Sequence, residues 1–226
     1  MENHLYVIDT DMLEDRTLYD CWYRRMPEER KKKTDAFRFE KDRRLSLGAG
    51  ILLQTGLLKE GVSDRELLYG RYGKPYLPAG KRVFFNLSHS GHYAVCAVSG
   101  HEVGTDIEEE KHFEENLIRY VFLESESAWI RRHAESQDSA FTSLWTFKES
   151  LMKYLGTGVS LEPKKICVDL ENPDRTTAEG FSFDGLHFTK YEVPGCQLAV
   201  CSGDSFFSGK PEWISAEDLM SIRIHR

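Results

Sequence analysis

Val103-Gly104-Thr105-Asp106-Ile107-Glu108 is the stretch that decides how this chain folds. Its apolar and β-branched residues predict the end of a strand, and side chains two residues apart on a strand point to the same face. The carboxylates of Asp106 and Glu108 are therefore expected to converge on one spot. About forty positions later, Glu149 and Lys153 lie four residues apart and share one face of a predicted helix. If that helix packs on that strand, three carboxylates and one ammonium group meet in a small space.

Such a set of hard oxygen ligands suits Mg²⁺ held on a phosphate substrate. Each motif alone also has a plainer interpretation. Glu109 and Glu110 follow the first pair directly, so it resembles a solvated acidic turn, and a Lys-Glu-Ser sequence is common on helix surfaces. The metal hypothesis therefore depends on other motifs in the chain.

Length and composition set the broad class of protein. The chain has 226 residues with 40% hydrophobic and 30% charged residues, which is typical of a globular protein with one large domain or two modest ones. The net charge of −7 argues against a general nucleic-acid binder, so an anionic ligand would need a local basic patch.

Nothing in the sequence indicates a membrane protein or a secreted one. No apolar run approaches the roughly 18 residues that span a bilayer, and the first residues lack a signal-peptide pattern. The five cysteines form no Cys-x-x-Cys pair, which favours reduced thiols in a cytoplasmic protein. Three of them lie in apolar, strand-like runs, where a free cysteine is expected to behave as a small hydrophobe: Cys96, Cys167 and Cys201.

Hydrophobic periodicity predicts alternating helices and strands. Helices are expected over Asp35–Leu58, Glu114–His133 and Phe141–Leu155. Strands are expected over Leu5–Asp9, Val83–Leu87, His92–Val98, Ile166–Leu170, Leu186–Val193 and Gln197–Cys201. The predicted class is α+β.

A weak internal repeat accompanies this order. Ala94-Val95-Cys96 recurs as Ala199-Val200-Cys201, an offset of 105 residues, and the same offset places Arg43-Arg44 over Lys148-Glu149. Three matching residues also arise by chance in core strands. If the halves are true repeats, the molecule has two similar α+β lobes with a cleft between them as the natural ligand site.

Basic and hydroxyl groups upstream offer anion ligands. In Asn86-Leu87-Ser88-His89-Ser90-Gly91, hydroxyls, an imidazole and turn N–H groups suit a phosphate clamp, and the alternative interpretation is an ordinary hairpin turn. The run Arg30-Lys31-Lys32-Lys33 is either a solvated helix face or, with Lys74 and nearby arginines, a basic patch. The glycine-rich segments do not match a P-loop.

Taken in order, these motifs resemble the surfactin-type 4′-phosphopantetheinyl transferases. The resemblance covers residues 26 to 203 and is thin in its last third. The segments that carry it are Gly73-Lys74-Pro75, Asn86 to Gly91, Gly104 to Glu108, Phe122 with Glu126, Trp145 to Ser150, Lys153, Gly156 and Gly158.

The resemblance implies two similar lobes related by a pseudo-twofold axis, residues 1–102 and residues 103–226, with the carboxylates in the second. It implies that coenzyme A binds with Mg²⁺ in the cleft between the lobes. A serine hydroxyl of an apo acyl or peptidyl carrier protein then attacks the β-phosphate, and 3′,5′-ADP leaves.

The resemblance also assigns roles to individual residues. Asp106, Glu108 and Glu149 would be the metal ligands, and Glu149 would also be the candidate base. Lys153 would neutralise charge on the transferred phosphate. Ser88 and His89 would hold the 3′-phosphate of coenzyme A, and Lys74 would lie beside the nucleotide.

The first helical region departs from the family pattern. Pro27-Glu28-Glu29-Arg30 is acidic where a lysine is expected to meet the 3′-phosphate, so Lys32 and Arg44 are the substitutes that we predict. Carrier docking is expected to use apolar contacts around residues 113–129, with Arg119, Arg131 or Arg132 nearby. The expected protein is a monomer without nucleic-acid or membrane partners.

Two other functions stay open from the sequence. A Mg²⁺-dependent phosphohydrolase would use the same carboxylates on water, and a non-catalytic module would only bind coenzyme A or a carrier protein.

Overall fold

The computed structural model describes residues 2–62, 66–80, 82–133, 136–203, 207 and 209–222. The helices are α1 (Arg16–Arg25), α2 (Glu28–Asp35), α3 (Glu40–Lys59), α4 (Glu115–Val121), α5 (Glu124–Arg132), α6 (Gln137–Leu155) and α7 (Ala216–Ser221). The longer strands are β1 (His4–Asp9), β4 (Phe84–Ser90), β5 (Tyr93–Ser99), β6 (Val103–Glu109), β9 (His187–Val193) and β10 (Cys196–Ser202). The two-residue strands are β2 (Leu68–Tyr69), β3 (Pro75–Tyr76), β7 (Ile166–Cys167), β8 (Thr177–Ala178) and β11 (Glu212–Trp213). This architecture confirms the predicted α+β class.

The larger strands form two sheets with the same order of connection. The first sheet has the order β11-β1-β5-β4 and the second has the order β6-β10-β9. In the first sheet, β1 precedes the long helix α3, the hairpin β4–β5 follows, and β5 pairs antiparallel with β1. In the second sheet, β6 precedes the long helix α6, the hairpin β9–β10 follows, and β10 pairs antiparallel with β6. The repeated Ala-Val-Cys sequences lie in β5 and β10, the strands flanked on both sides in their sheets.

Each long helix covers one face of its sheet, and the two sheets share a core on their other faces. Alternate residues of β5 show this division: Cys96 belongs to the cluster under α3, whereas Val95 packs with Ile107 and Leu198 of the second sheet. All seven residues of β5 are buried, as are those of β10. Both strands therefore read as continuous apolar runs because neither has a solvent face.

Glycine lets α6 lie directly on β6. A Cβ at Gly104 would stand 2.1 Å from the Ser150 carbonyl oxygen and 2.2 Å from the Tyr154 nitrogen, which leaves no room for a larger residue. On α3, a Cβ at Gly56 would similarly stand 2.7 Å from Val98 Cγ2. The close approach at Gly104 brings the α6 side chains over the end of β6.

The last described residues return to the first sheet. Strand β11 pairs in parallel with β1, and Ile214 and Leu219 are buried in the cluster under α3. Residues 212–221 therefore pack with the first sheet, outside the unit 103–226 to which the sequence analysis assigned them. Strand β11 covers the edge of β1 that faces away from β5.

Two local predictions need correction. The helix expected over 114–133 is broken between α4 and α5, because Phe122 is extended and buried and the Glu126 carboxylate accepts the Leu123 N–H, at 2.9 Å. Cys167 is exposed on the short β7, although all five cysteines are free as expected. No helix of the described part of the chain is long and apolar enough to cross a membrane.

Candidate active site

One cavity of about 260 Å³ collects acidic and basic side chains from both sheets and their helices. Its acidic residues are Asp106 and Glu108 at the end of β6 and Glu149 on α6. The predicted convergence of the three carboxylates is therefore found in the structure. The basic residues of the same cavity are Arg30, Lys33, His89 and Lys153.

Asp106 is buried and bound from two sides. Its Oδ1 accepts hydrogen bonds from Lys153 Nζ at 2.5 Å and from Ser88 Oγ at 2.9 Å. Lys153 also donates to Ser88 Oγ, at 2.8 Å. Ser88, Asp106 and Lys153 thus form a closed triangle that joins β4, β6 and α6.

Glu108 and Glu149 hold their protons more tightly than ordinary carboxyl groups. Burial, followed by repulsion from Asp106, raises the pKa of Glu108, and hydrogen bonds from Ser90 and Trp145 partly oppose this. Burial, again followed by Asp106, raises the pKa of Glu149 to about 7. Carboxylates crowded out of water have such pKa values because the charged form is disfavoured.

A divalent cation fits this set of donors. Asp106 Oδ2 is buried and, within the described residues, has no hydrogen-bond partner. A buried acceptor without a partner is costly, and a cation held by hard oxygen atoms would satisfy it. Asp106, Glu108 and Glu149 provide the carboxylate oxygens that Mg²⁺ prefers.

The present spacing of these oxygens is wider than that of a closed metal site. The ligand atoms of Asp106, Glu108 and Glu149 do not all lie within 4.8 Å of one another. In the described ranges, the group that meets this spacing is Asp9, Asp11 and His92. That exposed group is already paired internally, with His92 Nδ1 3.0 Å from Asp9 Oδ1. In the cavity, the Lys153 ammonium group occupies one Asp106 oxygen, so the case for Mg²⁺ comes from donor chemistry.

The basic part of the cavity comes from α2 and β4. Arg30 and Lys33 are three residues apart and share a face of α2, and Gly50 of α3 lets the Arg30 side chain lie close, since a Cβ there would stand 3.1 Å from Arg30 Cγ. Burial and the nearby cations, Lys153 first, lower the pKa of His89. This cluster of cations is a ready site for an anion.

Lys32 and Arg44, the predicted substitutes, do not line this cavity. Arg44 is bound to acidic residues of the first segment, with its Nη2 3.0 Å from Glu14 Oε1 and 3.7 Å from Asp11 Oδ1. Lys32 lies one residue, about 100° of helix rotation, from Lys33, so its side chain leaves α2 in a different direction from the one that lines the cavity. The sequence analysis did not single out Arg30 and Lys33, although their three-residue spacing on α2 could have indicated the face that lines the cavity.

Lys74, predicted to lie beside the nucleotide, is partly buried, does not line this cavity and has internal partners. Its ammonium group donates to Glu102, to the Val103 carbonyl at 3.0 Å and to the Tyr154 carbonyl at 3.0 Å. Lys74 therefore ties the start of β6 to the end of α6. It also lines a second cavity of about 440 Å³ next to Tyr72.

Lys148, the neighbour of Glu149, forms a fully buried ion pair that sequence reasoning missed. Its Nζ lies 2.7 Å from Glu126 Oε2 and also donates to the carbonyls of Pro163 and Ile166, each at 2.9 Å. The other Glu126 oxygen accepts the Val168 N–H at 3.0 Å. The pair fixes α6 against α5 and the following segment, which sets the rotation that points Glu149 at Asp106.

Comparison with known proteins gives a family. The model of the 4′-phosphopantetheinyl transferase superfamily matches residues 102–201. A 4′-phosphopantetheinyl transferase of Bacillus subtilis is 32% identical over 198 residues, 85% of this chain and 88% of the relative. The transferase Sfp of Bacillus subtilis (strain 168) is 29% identical with the same coverage, and AcpT of Salmonella typhimurium is 39% identical over 145 residues, 62% of this chain and 69% of the relative. With its motifs in family order and a relative this similar along most of both chains, the protein belongs to the surfactin-type 4′-phosphopantetheinyl transferases.

Proposed function

We propose that this protein transfers the 4′-phosphopantetheine arm of coenzyme A to a serine hydroxyl of an apo acyl or peptidyl carrier protein. The observation that carries the proposal is the single cavity in which three carboxylates meet Lys153, His89, Arg30 and Lys33. An acidic wall suits a cation and a basic wall suits phosphates, and coenzyme A requires both.

The reaction forms one bond and breaks one. The serine oxygen bonds to the phosphorus that carries pantetheine, the bond from this phosphorus to the bridging oxygen breaks, and 3′,5′-ADP leaves with that oxygen. Asp106, Glu108 and Glu149 would hold Mg²⁺, which when bound neutralises negative charge on the pyrophosphate.

Lys153 and Glu149 have separate tasks in this step. The Lys153 ammonium group lies at the carboxylates and would stabilise charge that develops on the transferred phosphoryl oxygens. Glu149 would take the proton of the serine hydroxyl: without a metal ion its pKa is raised to about 7, which suits a base that works near neutral pH, and direct ligation of Mg²⁺ would lower that pKa. Glu149 then serves as ligand, base or both.

His89, Arg30 and Lys33 would bind the 3′-phosphate of coenzyme A. They are the basic residues that face the cavity from the first sheet and its helix. Burial, followed by repulsion from Lys153 and Lys33, lowers the pKa of His89, and a bound anion would favour its protonated form. Ser88 would act on Asp106 rather than on the phosphate, since its hydroxyl donates there. Lys74 would support the nucleotide region through the loop that it anchors.

The two sheet-and-helix units are, in this proposal, repeats related by a pseudo-twofold axis, with the boundary near residue 102 and the active site in the cleft between them. The shared strand order and the Ala-Val-Cys sequences in β5 and β10 support it. The terminal segment 212–221 is the exception, since it packs with the first unit.

Carrier docking would use the exposed side of α4. Leu117 is 40% exposed and Tyr120 is 77% exposed, with Arg119 between them. Arg131 is less available than Arg119, because Glu115 and Glu124 both bind it and its side chain is 36% exposed, whereas Arg119 has one contact to Glu115, at 3.5 Å, and is 70% exposed. We further propose a cytoplasmic monomer, as its free cysteines and two-part site suggest.

Intact-mass analysis of an apo carrier protein tests the proposal. After incubation with this protein, coenzyme A and Mg²⁺, the carrier is expected to gain the mass of one phosphopantetheine group, and Asp106→Asn is expected to abolish the gain. Phosphate release without any carrier would favour the phosphohydrolase, and tight coenzyme A binding with no transfer to several carriers would favour a non-catalytic module.

A further inference from the structure

Three alternate side chains of β4 join the two sheets. Strands β4 and β6 belong to different sheets, yet Asn86 Oδ1 accepts the Thr105 N–H at 2.9 Å and Ser90 Oγ accepts the Glu109 N–H at 3.0 Å. Between them, Ser88 Oγ accepts the Ile107 N–H at 3.4 Å. Along this seam between β4 and β6, the side chains of Asn86, Ser88 and Ser90 accept the backbone N–H groups that a neighbouring strand's carbonyls would accept within one sheet.

Two of these side chains also donate to the proposed metal ligands. Ser88 Oγ donates to Asp106 Oδ1 at 2.9 Å, and Ser90 Oγ donates to Glu108 Oε2 at 3.0 Å. A hydroxyl group has a single hydrogen and can accept as well as donate, so the N–H on one side directs the hydroxyl hydrogen toward the carboxylate on the other. Asn86 makes the same kind of backbone contact, but within the described residues its side chain makes no hydrogen bond to Asp106 or Glu108.

The two carboxylates depend on their serines to different degrees. Asp106 has a second partner in Lys153, which also supports Ser88. Glu108 lies at the end of β6 and is oriented by Ser90 and by the Trp145 side chain of α6. Loss of the Ser90 hydroxyl would remove one of these two hydrogen bonds to Glu108.

We propose that Ser90 is a positioning residue that holds the Glu108 carboxylate in the orientation required for a divalent cation. The proposal rests on the proposed function, because it takes Glu108 as a ligand. Hydrogen bonds to ligating carboxylates fix their direction, and removal of such partners typically costs about 10–100-fold in metal affinity. Ser90 thereby couples the cation site to the seam between the sheets.

Direct binding of Mn²⁺ to the full-length protein, without coenzyme A or carrier, is the test. Titration followed by electron paramagnetic resonance is expected to show about 10–100-fold weaker binding for Ser90→Ala. Ser90→Thr keeps the hydroxyl group and is expected to stay within a few fold of the original protein. Unchanged Mn²⁺ affinity in Ser90→Ala would overturn the proposal.

Asn86→Ala is the matched control, since it removes the same kind of N–H acceptor from the same seam. It is expected to lower the melting temperature while Mn²⁺ affinity stays the same. If it weakened Mn²⁺ binding as much as Ser90→Ala, loosening of the seam would explain both results and positioning by Ser90 would be wrong. If Ser90→Ala does not fold, Ser90→Cys replaces it, since cysteine is similar in size and a weaker hydrogen-bond donor. Its Mn²⁺ affinity is expected to lie below that of Ser90→Thr, and an affinity equal to that of the original protein would overturn the proposal.

The two proposals fail in different ways. If the original protein binds Mn²⁺ but modifies no carrier protein, the transferase proposal fails and the Ser90 comparison still stands. If the carrier is modified and Ser90→Ala binds Mn²⁺ normally, only the role of Ser90 fails.

Discussion

Glu149 is the residue whose environment is most specialised for chemistry. It faces Asp106 and Glu108 in a cavity where burial outweighs the nearby Lys153, so its pKa is raised to about 7 from an ordinary value of 4.5. An ionised group held in such a place destabilises the fold that holds it. Strain of this kind is common at functional sites, where binding of the right ligand relieves it.

Glu149→Gln is therefore expected to stabilise the protein at pH 8 in the presence of a metal chelator. Because the folded-state pKa lies above the unfolded-state value, ionisation of Glu149 lowers the stability of the original protein as the pH rises from about 4.5 to about 7. Above pH 7 this loss stays constant. Glutamine removes this titration, so the difference in melting temperature between the two proteins should be largest at pH 8 and shrink toward pH 5. Thermal unfolding across that range measures it, and a difference independent of pH would contradict the account.

Helix α6 carries both the chemistry and the anchor that orients it. Glu149 and Lys153 face the cavity, whereas Lys148 points the other way into the pair with Glu126. The side chains of both partners are at most 1% exposed, and four further hydrogen bonds satisfy their polar atoms. A buried pair of this kind specifies one arrangement of helices, because any other leaves a charge without a partner.

Lys148→Met is expected to lower the free energy of unfolding by about 3–5 kcal/mol, since it leaves the Glu126 carboxylate buried without its cation. The double variant Lys148→Met, Glu126→Leu removes both charges and should recover most of that loss. Urea unfolding followed by circular dichroism measures the three proteins. A double variant as unstable as the single one would show that the backbone bonds, and not the charge pair, dominate.

At the scale of the whole molecule, the proposed active site belongs to both sheets. Arg30, Lys33 and His89 come from the first sheet and its helices, and the carboxylates come from the second. Neither part holds a complete site, so the packing of the two sheets through Val95, Ile107 and their neighbours is itself a requirement for activity. The proposed carrier surface on α4 lies on the same side of the chain boundary as the carboxylates, after residue 102.

Arg119→Glu combined with Tyr120→Ala is expected to raise the KM for the carrier protein about tenfold, or about 1.4 kcal/mol, with the KM for coenzyme A unchanged. Tyr120 is the aromatic residue of α4 and is largely exposed, and Arg119 would meet the acidic surface of a carrier protein. Steady-state kinetics with each substrate varied in turn measures the KM for the carrier protein and the KM for coenzyme A separately. Met220→Ala, an equally exposed apolar side chain on α7, serves as the control and should change neither constant.

Prediction from the sequence succeeded where the geometry is local. Alternation along β6 places Asp106 and Glu108 together, and the four-residue spacing on α6 aligns Glu149 with Lys153. It failed where a side chain selects among distant partners: Arg44 meets Asp11 and Glu14, which nothing in the spacing of α3 indicates. The break between α4 and α5 was missed for the same reason, since it depends on burial of Phe122.

By itself, the sequence determined the α+β class, the motif order that identifies the family and the carboxylates at the centre of the site, because periodicities of two and 3.6 residues are properties of the backbone. Only the tertiary structure decided which cations face those carboxylates and what holds them there. Arg30 and Lys33 line the cavity because α2 packs on Gly50, and Ser90 reaches Glu108 because β4 and β6, the end strands of the two sheets, lie next to each other. Such contacts join residues far apart in the chain, and packing alone brings them within hydrogen-bond distance.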